Sequence, residues 1–112
     1  MELSPEDAKL VTLARSSRAR TGSSEGAAVR DLDGRTYAAT TVALEHLRVD
    51  ALPLAVAMAV SSGAKGLEAA ALVAAPGSDR TVDVTAVRDL GGPDLPVYLA
   101  DPAGSVDAVR RS

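Results

Sequence analysis

The chain has no cysteine, phenylalanine or tryptophan, two tyrosines, Tyr37 and Tyr98, and one histidine, His46. Without cysteine there is no disulfide framework and no thiolate metal site. One imidazole and no thiol cannot supply the three nitrogen or sulfur ligands of a zinc centre, and a carboxylate-only set favours Mg, Ca or Mn over Zn. Two tyrosines offer too little flat surface to hold nucleic acid by stacking. Lysine is scarce, two against ten arginines, and the net charge is −3 with both signs interspersed. No basic face is left for a phosphate backbone, and the Arg18–Arg20 cluster reads as solvated. The longest low-charge run, 51–64, is too short to cross a membrane and contains Pro, Ser and Gly. The start, MELSPEDAKL, lacks the basic and apolar regions of a secretory signal. These absences lead to the expectation of a cytoplasmic protein with no cofactor, no nucleic-acid partner and no membrane partner.

What is present suits one domain spanning 1–112, long enough for a core that needs neither disulfides nor metal. LSPEDAKLVTLARSSRAR opens with a helix start: Ser4 as cap, Pro5 at the first helical position and Asp7 three residues past the cap. Leu10, Val11, Leu13 and Ala14 give that helix its apolar face. After the breaker TGSSEG, the segment AAVRDLDGRTYAATTVA reads as a hairpin turning at Asp33-Gly34. Residues 43–49 read as a loop.

A second helix is expected from Asp50, a favoured cap residue, to Ser62, with Pro53 tolerated in its first turn and Gly63 closing it. Ala51, Leu54, Ala55, Met58 and Ala59 form its tightest face. Leu52, Val56 and Val60 make the other side apolar too, so burial nearly all round is expected. A strand follows from Leu67. APGSDR is a loop, and TVDVTAVRDL a short helix with Asp79 or Thr81 as cap and Gly91-Gly92 as its end. Leu95–Ala100 is a strand, and the tail SVDAVRRS either frays or adds a last strand or turn. The order is α-β-β-α-β-α-β with an extra terminal element left open. It implies an α/β mixed sheet with helices on its faces.

Three stretches resemble the small cytidine deaminases: EGAAVRDLDGRTY, VDALPLAVAMAVSSGAKGLEAAALVA and RDLGGPDLPVYLADPAG. The resemblance implies the cytidine deaminase-like three-layer fold. It also implies a metal centre, in which a Cys or His and a Cys pair hold zinc and a Glu two residues beyond the first ligand moves protons. In the corresponding register Asp50 takes the place of the first ligand, Leu52 that of the Glu, and Arg80 and Asp83 those of the Cys pair. A shifted register puts Leu54 at the Glu position. Leu transfers no proton and Arg ligates no metal. The family's ribose-contacting residues fall near Ala39 and Thr41, and its base-stacking Phe near Ser23.

The remaining polar residues say less. His46, beside Glu45, reads as a solvated loop histidine ahead of a general base. A Glu45–His46–Asp50 metal trio is disfavoured, because adjacent residues rarely ligate together. Ser23, Ser24 and Glu25 could form an anion nest, but Glu25 repels an anion. Ser61-Ser62-Gly63 is the wrong dipole end for phosphate.

The preferred expectation is a degenerate, non-catalytic member of that fold, without zinc, that acts by forming a homo-oligomer (dimer or tetramer) and binding a protein partner. The alternatives are a cytidine deaminase or related nucleoside hydrolase with an atypical site, and a nucleoside-sensing module. Arg80 is expected to lie between Asp50 and Asp83 and bridge the two helix starts.

Overall fold

The structure, a computed structural model, describes residues 2–75 and 82–112. Helix α1, Pro5–Thr21, starts as its cap signal demands: Ser4 is extended, and its Oγ accepts from the Asp7 N–H at 3.2 Å. Glu6 and Asp7 in the first turn and Arg18 and Arg20 in the last complement the helix dipole. Gly22, at φ 67, closes it by donating to the Arg18 carbonyl at 2.9 Å. Its buried stripe is Leu10, Val11, Ala14 and Ser17, with Leu13 only half-buried.

Strands β1, Glu25–Asp31, and β2, Thr36–Thr40, form the expected antiparallel hairpin. Its turn is built around the buried Asp31 carboxylate, which accepts from the N–H groups of Asp33 and Arg35 at 2.9 Å and from the Tyr37 hydroxyl at 2.8 Å. Gly34 takes the left-handed conformation at φ 84 that the turn needs. Residues 43–49 are not simply a loop. Two-residue strands β3, Val42–Ala43, and β4, Arg48–Val49, pair with each other and are closed by Leu44 N–H to Leu47 O at 2.8 Å.

Helix α2 is Ala51–Ser61, and strand β5 is Leu67–Ala74. Helix α3 is Thr85–Gly91, followed by β6, Pro96–Ala100, and β7, Val106–Arg111. The tail thus forms a last strand. The expected caps Asp79 and Thr81 lie outside the described residues. Val84 occupies the N-cap position of α3, with no side-chain cap.

The five-stranded sheet has the order β2-β1-β5-β6-β7, and only the β5–β6 pair is parallel. Alternation along the strands divides the core into two layers. Leu10, Val11, Ala14, Ala28, Ala69, Ala71, Val73 and Tyr98 pack on the α1 side. Ala27, Val29, Leu72, Val97 and Leu99 pack with Ala55, Val56 and Val87 on the side of α2 and α3. This is the expected mixed sheet with helices on both faces.

One expectation about α2 is corrected. Its buried residues are Ala51, Leu52, Ala55, Val56 and Ala59, while Met58 is 39% and Val60 53% exposed. The helix sits on a sheet with α3 on one side of it only, so it is covered on about half its circumference. The alanine stripe wins the contact because small side chains let the helix settle closest to the strands.

A polar cluster ties α1 to the sheet. Arg30 Nη2 donates to Asp7 Oδ1 at 2.8 Å and Arg30 Nε to Glu68 Oε1 at 2.7 Å, and the Tyr98 hydroxyl donates to Asp7 Oδ2. Beside it α1 approaches β1 so closely that only glycine fits at position 26. A Cβ there would collide with the Ala14 carbonyl oxygen and lie 2.9 Å from the Arg18 Cβ. Gly26→Ala is therefore expected to destabilise the fold by about 1–3 kcal/mol, read from the urea midpoint. A midpoint equal to that of the unsubstituted protein would contradict this packing.

Candidate functional site

A small cleft of about 80 Å³ opens where the starts of β1 and α2 meet the end of β5 and the entry to α3. Its walls are Glu25, Asp50, Leu52, Pro53, Leu72, Val82 and Asp83. Three of the four positions singled out in the sequence, Asp50, Leu52 and Asp83, therefore share one cleft. The fourth, Arg80, and with it the expected bridge between the aspartates, lies outside the described residues.

Asp50 does not cap α2 with its side chain, contrary to expectation. It holds the N-cap position in extended conformation, at φ −71 and ψ 154, and its carbonyl accepts from Leu54 N–H at 3.1 Å, but its carboxylate caps nothing. Pro53 removes one of the two donors such a cap uses. A capping carboxylate reaches the N–H of the second or third helical residue, and the third here is a proline with none to give. The Asp83 carboxylate is turned onto its own chain, where Oδ1 accepts from Thr85 N–H at 2.9 Å and from the Thr85 hydroxyl. Leu52 is 3% exposed and belongs to the apolar layer under α2.

Glu25 is the wall residue that sequence reasoning placed in a loop. It opens β1 opposite Ala74, which brings it beside Asp50. Burial pushes its carboxyl above the ordinary value, and the Asp50 charge pushes it further. The signal was available in its position directly before the Gly-Ala-Ala run of a buried strand, but one polar residue at a strand start looks like a loop end.

The other candidates do not meet here. His46 and Glu45 are exposed at the tip between β3 and β4. Ala39 is buried in the apolar layer, the Thr41 hydroxyl accepts from the Ser24 hydroxyl at 3.2 Å, and the Ser23 hydroxyl pairs with that of Thr21 at 2.8 Å. Ser61 and Ser62 sit at the far end of α2.

The donors present do not fit zinc. The cleft offers carboxylates alone, one of them already engaged by Thr85, with no thiol anywhere and the one imidazole on an exposed turn. Among the described residues no group of three His, Cys, Asp or Glu side chains could hold a metal ion.

A family profile described as cytidine deaminase-like matches residues 3–104. The chain belongs to the cytidine deaminase-like family. It is a degenerate member, lacking cysteine altogether and, among the described residues, the metal-binding cluster on which catalysis in that family depends. Its fold is shared with solved structures. A cytidine deaminase from Burkholderia pseudomallei is similar with a TM-score of 0.74 and 22% identity, over 93% of this chain and 89% of that one. A cytidine deaminase from Mycobacterium leprae is similar with a TM-score of 0.66 and 21% identity, over 92% and 90%. No curated protein matches the chain.

The pair Glu25–Asp50 has a pH signature. The folded chain holds the Glu25 proton more tightly than the unfolded chain does, so this group's contribution to stability falls as pH rises through the window between the two values. Glu25→Gln should raise the melting temperature at pH 7, and the gain over the unsubstituted protein should vanish below about pH 4, where Glu25 is protonated in both states. A melting curve at pH 7 that is unchanged or lowered would contradict this reading.

Proposed function

We propose that this is a non-catalytic, cytoplasmic protein of the cytidine deaminase fold, a single domain that works by self-association and by binding a protein partner. One observation carries the loss of catalysis: the cleft holds Leu52, apolar and buried, where the family resemblance calls for a proton-moving acid. Asp50 and Asp83 then mark the former metal positions. Without a metal to activate water or an acid to carry its proton, hydrolytic deamination has neither nucleophile nor proton path.

The nucleoside-sensing alternative is less well supported. A cleft of about 80 Å³ is small beside the roughly 300–1,000 Å³ of ordinary ligand pockets. The interaction reading rests on apolar side chains left in water. Leu44, Leu47, Met58 and Val60 are all more than a third exposed, on the β3–β4 turn and the outer side of α2. Among the described residues no helix is long and apolar enough to cross a membrane, so a bilayer-spanning helix does not account for them.

Purified protein should contain no stoichiometric zinc by elemental analysis, melt at the same temperature with and without chelator, and leave cytidine and deoxycytidine unchanged. One zinc per chain, with turnover abolished by Asp50→Ala, would establish the enzyme reading instead. Light scattering should give a mass that is a multiple of 11.4 kDa. A value of 11.4 kDa across a concentration series would remove self-association.

A further inference from the structure

Of the chain's aspartates only Asp33 is followed by glycine, and there is no asparagine. An aspartyl-glycyl link is the most easily rearranged of aspartyl peptide bonds. The nitrogen of the following residue can attack the aspartyl side chain, and glycine carries no side chain to keep it off. Asp33 and Gly34 are both exposed at the tip of the β1–β2 hairpin. Gly34 stands in open space, where a Cβ would meet nothing within 4 Å.

The turn around this link is closed by hydrogen bonds. Gly34 N–H donates to the Asp31 carbonyl at 3.1 Å, and Asp31 N–H to the Arg35 carbonyl at 2.9 Å. Asp31 is only 2% exposed, and its Oδ1 accepts from the N–H groups of Asp33 and Arg35, both at 2.9 Å. Its Oδ2 is held by the Tyr37 hydroxyl at 2.8 Å. The N–H groups of Asp33, Gly34 and Arg35 therefore all end on Asp31. With its proton committed to the Asp31 carbonyl, the Gly34 amide can turn to face the Asp33 carboxyl only when the turn opens.

We propose that Asp33 is a site of spontaneous backbone isomerisation, and that the Asp31 carboxylate sets its rate by holding the turn closed. In the open turn the Gly34 nitrogen bonds to Cγ of the protonated Asp33 side chain. The carboxyl hydroxyl leaves as water together with the amide proton, and a five-membered imide results. A water molecule then opens the ring. Addition at Cγ returns aspartate. Addition at the backbone carbonyl carbon breaks its bond to Gly34, and the chain now runs through Cβ and Cγ. No oxidant or cofactor takes part, and the water lost is regained. The rearranged turn is one backbone atom longer. The N–H groups of Gly34 and Arg35 are carried off Asp31, and β2 loses its anchored start.

The test follows the full chain in warm neutral buffer, folded or in urea. Trypsin cuts after Arg30 and Arg35 and releases Asp-Leu-Asp-Gly-Arg. The rearranged peptide has the same mass and is resolved by chromatography against a synthetic standard. Asp33 should rearrange in urea, and in the folded chain more slowly by about tenfold or more, because the reactive form is a local opening. Tyr37→Phe frees one oxygen of the Asp31 carboxylate and should speed the folded chain severalfold. Asp31→Ala should speed it by roughly tenfold or more. Neither substitution should alter the rate in urea. Should Asp31→Ala fail to fold, Tyr37→Phe still reads the hold of Asp31 on the turn. The recovered rearranged chain should melt below its parent. Absence of the rearranged peptide after incubation in urea would remove the site. Equal rates in the folded and unfolded chain, or a folded rate indifferent to these substitutions, would remove the part given to Asp31.

Discussion

Asp7 is the point at which one layer of the molecule is fastened to the other. Its two oxygens are shared between Arg30 on β1 and Tyr98 on β6, while Arg30 reaches on to Glu68 on β5. One carboxylate in the first turn of α1 thus fixes that helix against three strands. Burial, then the bond to Asp7, pushes the Tyr98 hydroxyl up to about 12, so it remains a donor at any physiological pH. Charges in such a setting are costly to take from water and are retained only with their partners in place. With α1 held this way the opposite face of the sheet is left to α2, α3 and the cleft.

The lack of large aromatic side chains shapes that second face. Alanines at 27, 39, 51, 55, 59 and 70 fill positions where bulkier residues would hold helix and sheet apart. α2 consequently lies low on β1 and β2, and Leu52 and Leu72 close the floor beneath the three carboxylates. The surface that gains from the arrangement is the outer side of α2, where Met58 and Val60 are left without cover.

Much of this was legible in the residues because local rules and tertiary packing agree. Ser4 and Pro5 begin α1, Asp33-Gly34 turns the hairpin, and the alternation of elements implies a mixed sheet with helices on its faces. The misreadings share a cause: the deciding contact lay elsewhere in the chain. α2 is apolar on both flanks, so periodicity could not tell Val56 from Met58, and the strands beneath decided. Asp50 takes the N-cap position that its residue type suits, but its side chain makes no cap bond. Strands β3 and β4 have two residues each and exist through their closing turn, a scale at which strand propensity has no pattern to show. Glu25 gained its place only through the β1–β5 register.

The tight seat of Gly26 under α1 bears on the order in which the chain assembles. α1, β1 and β2 are consecutive, joined by short turns, and in mutual contact, so their union closes only small loops. Pairing β1 with β5, by contrast, must first bring the whole segment bearing α2 back across the sheet. Contacts between sequence neighbours form fastest, which makes the first forty residues the natural nucleus and β5 the strand that must find it. Until it does, β1 itself has an open edge, and the charges of Glu25, Arg30 and Asp31 at its two ends are what discourage a wrong partner.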